Sequence, residues 1–140
     1  MKGTFLHNHV IAATLVKVLR LRGHRVHLEY PIHHGQRSRA VDVYFQSNGH
    51  WFAIEIECTT ARIPNDVAKA EVLRPDLFLI VTPNARLARS SKSVLGRLLK
   101  NSTLPAGTIR IMPFGAALQW VANNCPVMST SNVINRVGHF

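Results

Sequence analysis

The sequence predicts a single α/β domain over residues 1–124, with a mixed central sheet flanked by helices. Three observations predict it. Residues 25–32 and 40–58 alternate apolar and polar side chains, the second run about an Asn48-Gly49 step, Leu77-Phe-Leu-Ile-Val-Thr82 is continuously apolar, and apolar residues recur at helical spacing on both sides of these segments. A chain of 140 residues with 46% hydrophobic content can bury one core and leaves little for a second.

Leu6, Val10, Ile11, Leu15, Val18 and Leu19 lie on one helical face, and Gly23 is a natural stop, so a first helix is expected over 5–22. Val26, Leu28 and Tyr30 then alternate with Arg25, His27 and Glu29 in a strand that ends in the polar stretch His33 to Arg39, read as a loop. Asn48-Gly49 lies between two alternating runs. A type I′ turn needs positive φ at both central residues, which Asn and Gly tolerate best, so the pair marks a two-residue hairpin. Ser47 then faces His50, and the same register carries back to set Asp42 opposite Glu55. Asp42, Tyr44, Trp51, Ala53, Glu55 and Glu57 fall on one face, and Val41, Val43, Phe45, Phe52, Ile54 and Ile56 on the other, which reads as core.

Beyond the hairpin, Thr59 to Pro64 reads as a connector, with Asn65 or Asp66 capping a short helix through Arg74. Pro75-Asp76 breaks the chain before the buried strand 77–82. Pro83 and Asn84 introduce a helix over 85–100 whose apolar side carries Leu87, Val94, Leu95 and Leu98. A strand from Thr108 to Phe114 and a helix from Ala116 to Asn123 complete the order αβββαβαβα, and residues 125–140 read as a C-terminal tail.

The net charge of +10 is unevenly distributed: residues 1–28 and 77–140 contain no acid, and all seven acids lie between 29 and 76. Basic flanks suit a polyanionic partner, because Lys and Arg that neutralise phosphates release condensed counterions. Arg86, Arg89, Lys92, Arg97 and Lys100 form a basic stripe on the 85–100 helix, the footprint of an element that tracks a nucleic-acid backbone. No amphipathic segment has the aromatic apolar face that membrane surfaces favour, and no apolar run approaches the ~20 residues of a membrane span. The N-terminus does not read as a signal peptide. Two cysteines, Cys58 and Cys125, are too few for a disulfide framework and suit a reducing cytoplasm.

Directly opposed residues of a hairpin have Cβ atoms about 4.5–5.5 Å apart, where like charges destabilise. Asp42 and Glu55, joined by Glu57 on the same face, therefore need a compensating charge, and converging carboxylates suit Mg²⁺ or Mn²⁺. The alternative is an exposed face whose carboxylates splay into water or pair with arginines.

The element order αβββαβ, an Asp in the second strand and a Glu-x-Glu closing the third resemble the PD-(D/E)XK nuclease superfamily, which includes restriction endonucleases and Holliday junction resolvases. The resemblance covers roughly residues 5–82. It implies a restriction endonuclease-like core extended by a further strand and helix, and a metal-dependent DNA endonuclease, a hydrolase of phosphodiester bonds, in which Asp42 and Glu55 bind the metal. Two departures stand out. Glu57 occupies the usual position of the motif lysine, and Val41 that of the motif proline. Some members of the family carry the lysine on the following helix, where Lys69 stands here. The resemblance thus implies Lys69 as the group that orients the attacking water, with Glu57 holding a second metal or accepting a proton. Arg37, Arg39 and Arg62, in loops beside the site, would position the backbone together with the basic stripe. One such domain carries one site and cutting both strands takes two, so a homodimer would supply the second.

Other groups read more plainly. His7 and His9 do not share a helical face, His33-His34 lies in a polar stretch, and Glu29 either extends the acidic group or meets an arginine. Tyr44 and Trp51 either contact a base or pack beneath the first helix. Cys58 has no paired His, and Pro75-Asp76 is a turn without a downstream acid. Two rival readings remain: a nucleic-acid-binding module that keeps the scaffold without catalysis, and an RNA-binding domain indifferent to divalent metal.

Overall fold

The structure, a computed structural model, describes residues 2–34 and 37–128; of residues 2–7, 34, 37 and 38 it describes the backbone alone. Nine principal elements follow one another: α1 (Lys2–Leu21), β1 (Val26–His34), β2 (Arg37–Ser47), β3 (His50–Ile56), α2 (Ile63–Leu73), β4 (Leu77–Thr82), α3 (Ala85–Leu99), β5 (Ile109–Pro113) and α4 (Phe114–Asn124), with a 3-10 turn at Thr60–Arg62. The order matches the sequence expectation. The five strands form one sheet in the order β1-β2-β3-β4-β5. β1, β2 and β3 are antiparallel, and β3, β4 and β5 run parallel, so the sheet is mixed. None of the helices among the described residues is long and apolar enough to cross a membrane.

The hairpin register is the expected one, from Ser47↔His50 through Val43↔Ile54. Asn48 and Gly49 have φ of 54° and 80°, the paired left-handed conformations of a type I′ turn. Gly23 ends α1 with φ 89°, and a Cβ there would lie 2.9 Å from the Cβ of Met128, so both conformation and space require glycine.

Helices cover both faces of the sheet. On one side Ile11, Leu15 and Leu19 of α1 and Trp120 and Val121 of α4 pack on Val43, Phe45, Ile54 and Ile56. On the other, Ile63, Val67 and Ala70 of α2 and Ala88 and Leu95 of α3 pack on Tyr44, Ala53, Phe78 and Ile80. The face that carries the carboxylates together with Tyr44 and Ala53 is therefore a second core. β4 is buried along its whole length, as a central parallel strand requires, and β5 adds Ile109 and Ile111 to this face while its Arg110 is exposed. Tyr44 and Trp51 stack with centroids 4.8 Å apart, and Tyr44 belongs to the cluster under α2 and α3 rather than beneath α1.

Val41 departs from the strict alternation and packs with Tyr44 and Ala53 instead of Val43 and Phe45. The β1–β2 ladder skips the pair Glu29 and Asp42, and Glu29 adopts φ 48°, so the pleat is broken beside the acids. The stretch His33–Arg39 is not a plain loop. β1 and β2 continue to pair through His34↔Arg37, so Arg37 and Arg39 are strand residues; polar side chains on a projecting hairpin leave backbone pairing intact.

The capping expectation for α2 also changes. The helix starts at Ile63, with Pro64 in its first turn, and Asp66 lies inside the helix rather than at its cap. Thr59 caps the preceding 3-10 turn through Ala61 N–H, which displaces the start of the helix upstream. Asn84 caps α3 as expected, accepting from Leu87 N–H at 2.9 Å. At the C-terminal end the chain stays docked beyond Cys125. Arg22 donates to the Cys125 carbonyl at 3.0 Å, and Met128 N–H donates to the Arg22 carbonyl at 2.8 Å, so residues 125–128, expected in the tail, pack against the end of α1. Residues 129–140 lie outside the described residues.

Candidate functional site

Parallel pairing brings the carboxyl ends of β3 and β4 to one edge of the sheet, with Glu57 N–H donating to the Val81 carbonyl at 2.9 Å. In open α/β sheets such an edge is where ligands bind. Four carboxylates and one amine meet there: Asp42 from β2, Glu55 at the end of β3, Glu57 just beyond it, and Asp66 and Lys69 from α2.

The hairpin opens at the acids. Asp42 N–H donates to Glu55 Oε1 at 3.0 Å, and Ile56 N–H donates to Asp42 Oδ2 at 2.9 Å, so each carboxylate takes a backbone donor across the gap between the strands. Lys69 Nζ lies 3.3 Å from the same Glu55 Oε1 and is itself largely shielded from solvent. Backbone amides and one ammonium thus supply part of the compensation that the opposed acids demand.

Burial also pushes the acids of the cluster toward their protonated forms. Glu55 and Glu57 are 3% and 4% exposed, and Asp66 is 1% exposed. Burial, reinforced by the neighbouring Asp42 and Glu57 charges and opposed by Lys69, pushes the Glu55 carboxyl up to about 8. Burial raises Glu57 to about 7 against the pull of Arg62, and burial together with the Glu57 and Glu55 charges raises Asp66 to about 9. Asp42 is also raised, chiefly by burial, although the Ile56 hydrogen bond, Lys69 and Arg62 pull it down. Ligand oxygens of Glu55, Glu57 and Asp66 all lie within 4.8 Å of one another, a spacing that fits one metal ion. Asp66 Oδ2 is buried and has no hydrogen-bond partner among the described residues.

Two depressions reach these acids. A groove of about 1030 Å³ between α1 and β1 is lined by Lys17, Arg20, Glu29, Asp42, Glu55 and Glu57 among others. A cleft of about 520 Å³ on the α2 side is lined by Arg39, Glu57, Arg62, Asn65, Asp66 and Lys69. Arg62 and Glu57 border both.

The structure thus brings together Asp42, Glu55, Glu57 and Lys69, with Arg39 and Arg62 beside them. The side chain of Arg37 lies outside the described residues. Arg86, Arg89, Lys92, Arg97 and Lys100 are all exposed on the side of α3 away from the sheet, and they line neither depression. α3 contacts the 3-10 turn that carries Arg62, and its N-terminal end follows the site edge of β4, so the stripe begins near the acids and runs away from them. Asp76 is at the other end of the sheet, where it accepts from Trp51 N–H at 2.7 Å. Cys58 contacts Asn8 Oδ1, and burial raises its thiol, which disfavours a thiolate nucleophile. Among the described residues Glu29 has no ion pair, and it lines the α1 groove with Asp42.

Asp66 is the residue that sequence reasoning missed. The signal was present: three positions before Lys69 on one helix, its side chain must share a face with the lysine. Reading it as a cap hid that relation. Lys17 and Arg20, part of the acid-free N-terminal segment, also line the α1 groove.

No protein-family model matches the chain, and no curated protein matches it. Among solved structures, the chain is similar to one described as the crystal structure of Protein of Unknown Function AF1548, with a TM-score of 0.49 and 13% identity, covering 91% of this chain and 67% of that one.

Proposed function

We propose that the protein is a divalent-metal-dependent deoxyribonuclease, an endonuclease that hydrolyses phosphodiester bonds. The observation that carries this reading is the meeting of Asp42, Glu55, Glu57 and Asp66 with Lys69 at one sheet edge, with a buried Asp66 oxygen left unpartnered. Carboxylates packed this closely, three of them nearly excluded from water, suit a hard divalent cation such as Mg²⁺ or Mn²⁺. The resemblance to PD-(D/E)XK nucleases supports it: the strand-two and strand-three acids are paired, and the helix lysine reaches the strand-three acid in place of a lysine at position 57.

Asp42 and Glu55 would hold the metal, each oriented by a backbone N–H that leaves further lone pairs for a ligand. When bound, the ion supplies an acidified water and balances negative charge on the phosphate oxygens. Lys69, fixed at Glu55, places a cation where charge develops on the phosphate. Glu57, raised to about 7, can accept a proton from the attacking water near neutral pH. Arg39 and Arg62 on the cleft wall and the α3 stripe farther out would contact phosphates and fix the register of the strand.

The deciding measurement is cleavage of linear duplex, single-stranded and branched DNA with Mg²⁺, Mn²⁺ or EDTA. Metal-dependent cutting of at least one substrate is expected. Binding without cutting under every condition would favour a binding module on the same scaffold, and cleavage that survives EDTA would refute the metal mechanism.

The basic helix has its own expected result. Affinity for duplex DNA should fall with salt at a log–log slope of about −0.9 per phosphate contact. Replacing Arg89 and Arg97 together by Ala should weaken binding to all sequences alike and flatten the slope by up to about two contacts. Unchanged affinity at low salt would show that α3 does not face the nucleic acid.

A further inference from the structure

We propose that Asp66 of α2, with Glu55 and Glu57 of the β3 end, binds a divalent cation of its own, separate from one held at Asp42, and that this cation clamps α2 to the sheet. The inference rests on the metal-dependent reading above but concerns a ligand which neither the hairpin pattern nor the family resemblance identifies. Two independent observations support it. Oxygens of the three side chains come within 4.8 Å of one another, from two separate elements. Asp66 is 1% exposed, and among the described residues its Oδ2 has no hydrogen-bond partner.

A buried, unpaired carboxylate oxygen costs far more than an exposed one, because it has given up water without gaining a donor. Among the described residues, no backbone N–H or arginine fills that role for Asp66 Oδ2. The nearest lysine, Lys69, is already engaged with Glu55 Oε1 at 3.3 Å. A cation among the three carboxylates would satisfy the stranded oxygen and relieve the mutual repulsion of the acids at once.

The Asp42 side is differently built. Asp42 accepts from Ile56 N–H through Oδ2 and is a lining residue of the α1 groove, whereas Asp66 lines the α2 cleft. Glu55 and Glu57 lie between the two, so they can serve both positions. Asp66 and Lys69 are three residues apart on α2, so the cation that fixes Asp66 also fixes the helical turn that presents Lys69. The role assigned to Asp66 is thus that of a ligand and positioning residue.

The experiment counts Mn²⁺ bound to the full chain without DNA, by electron paramagnetic resonance of free Mn²⁺, and follows the melting temperature with each addition. Wild type should bind two ions, while Asp66→Asn and Asp42→Asn should each bind one. Asp66→Asn should gain less thermal stabilisation from saturating Mn²⁺ than wild type. Its melting temperature in EDTA should equal or exceed that of wild type, because Asn keeps the shape and removes a buried ionisable group; this also establishes that the variant folds. The proposal is overturned if Asp66→Asn binds as many ions as wild type with the same affinity, if wild type binds one ion that Asp42→Asn abolishes, if wild type binds none at millimolar Mn²⁺, or if Asp66→Asn does not fold in EDTA. Cleavage is not read here, so a protein that binds two ions yet cuts no DNA would sink the nuclease reading and leave this one standing.

Discussion

Asp42→Asn is expected to abolish cleavage while leaving the metal-free fold as stable as before or slightly more so. The substitution preserves shape, and the amide oxygen can still accept from Ile56 N–H, whose bond to Asp42 Oδ2 is 2.9 Å long. It removes one charge from a set of buried acids that repel each other, a relief of about 0–1 kcal/mol on the scale of cross-strand pairs. Glu55→Gln should behave alike, because a Gln oxygen can keep the hydrogen bond from Asp42 N–H and the contact with Lys69. Loss of activity should exceed about 100-fold in each case, since removal of a mere outer partner of a metal ligand already costs 10–100-fold. Urea denaturation in EDTA and single-turnover cleavage in Mn²⁺ read the two halves of this expectation. Wild-type cleavage by either variant would show that these carboxylates are not the ligands.

The second large effect is on stability as a function of pH. Carboxylates that titrate near their ordinary values of about 4 in the unfolded chain are raised in the native protein, Glu55 to about 8 and Asp66 to about 9. Between those limits the native state holds protons that the unfolded state has released. Stability from this source is therefore full below about pH 4, falls as pH rises, and is exhausted above about pH 9. Each retained proton contributes a slope of about −1.4 kcal/mol per pH unit within that window. This is opposite in sign to acid denaturation by salt-bridged carboxylates. Other groups titrate too, so the cluster is isolated by comparing wild type with Asp66→Asn. In EDTA the advantage of the variant should widen from pH 5 to pH 8. Divalent metal competes with the same protons, so the stabilisation by Mn²⁺ should grow over that range. If the difference between wild type and variant were flat with pH, the buried acids would not be protonated in the native state.

The two predictions divide the site along the line between sequence and tertiary structure. The pairing of Asp42 with Glu55 was legible because a hairpin is local: Asn48-Gly49 sets the turn, the turn sets the register, and the observed ladder from Ser47↔His50 to Val43↔Ile54 keeps it. Leu77–Thr82 was equally legible, since five consecutive apolar residues closed by Thr82 in a small α/β domain call for burial on both faces. The charge pattern, with every acid between residues 29 and 76, pointed to one acidic centre in a basic chain.

Several features depended on the way distant segments meet. Whether the carboxylate face of the hairpin was open to water could not be read from the hairpin alone, because α2 and α3 cover Tyr44 and Ala53 from positions far along the chain. The break at Glu29 and the consequent turn of Val41 toward Tyr44 belong to the β1–β2 ladder rather than to either strand's own pattern. Asp66 shows the limit most clearly. On its own helix it is one acid in the first turn, where an exposed carboxylate would suit the helix dipole and need no further role. Its burial, its stranded oxygen and its meeting with Glu55 and Glu57 arise only when the parallel crossover from β3 to β4 lays α2 across the end of β3. Local periodicity determined the elements and one pair of acids; the packing of α2 decided which charges lose their water and must find a proton or a metal in its place.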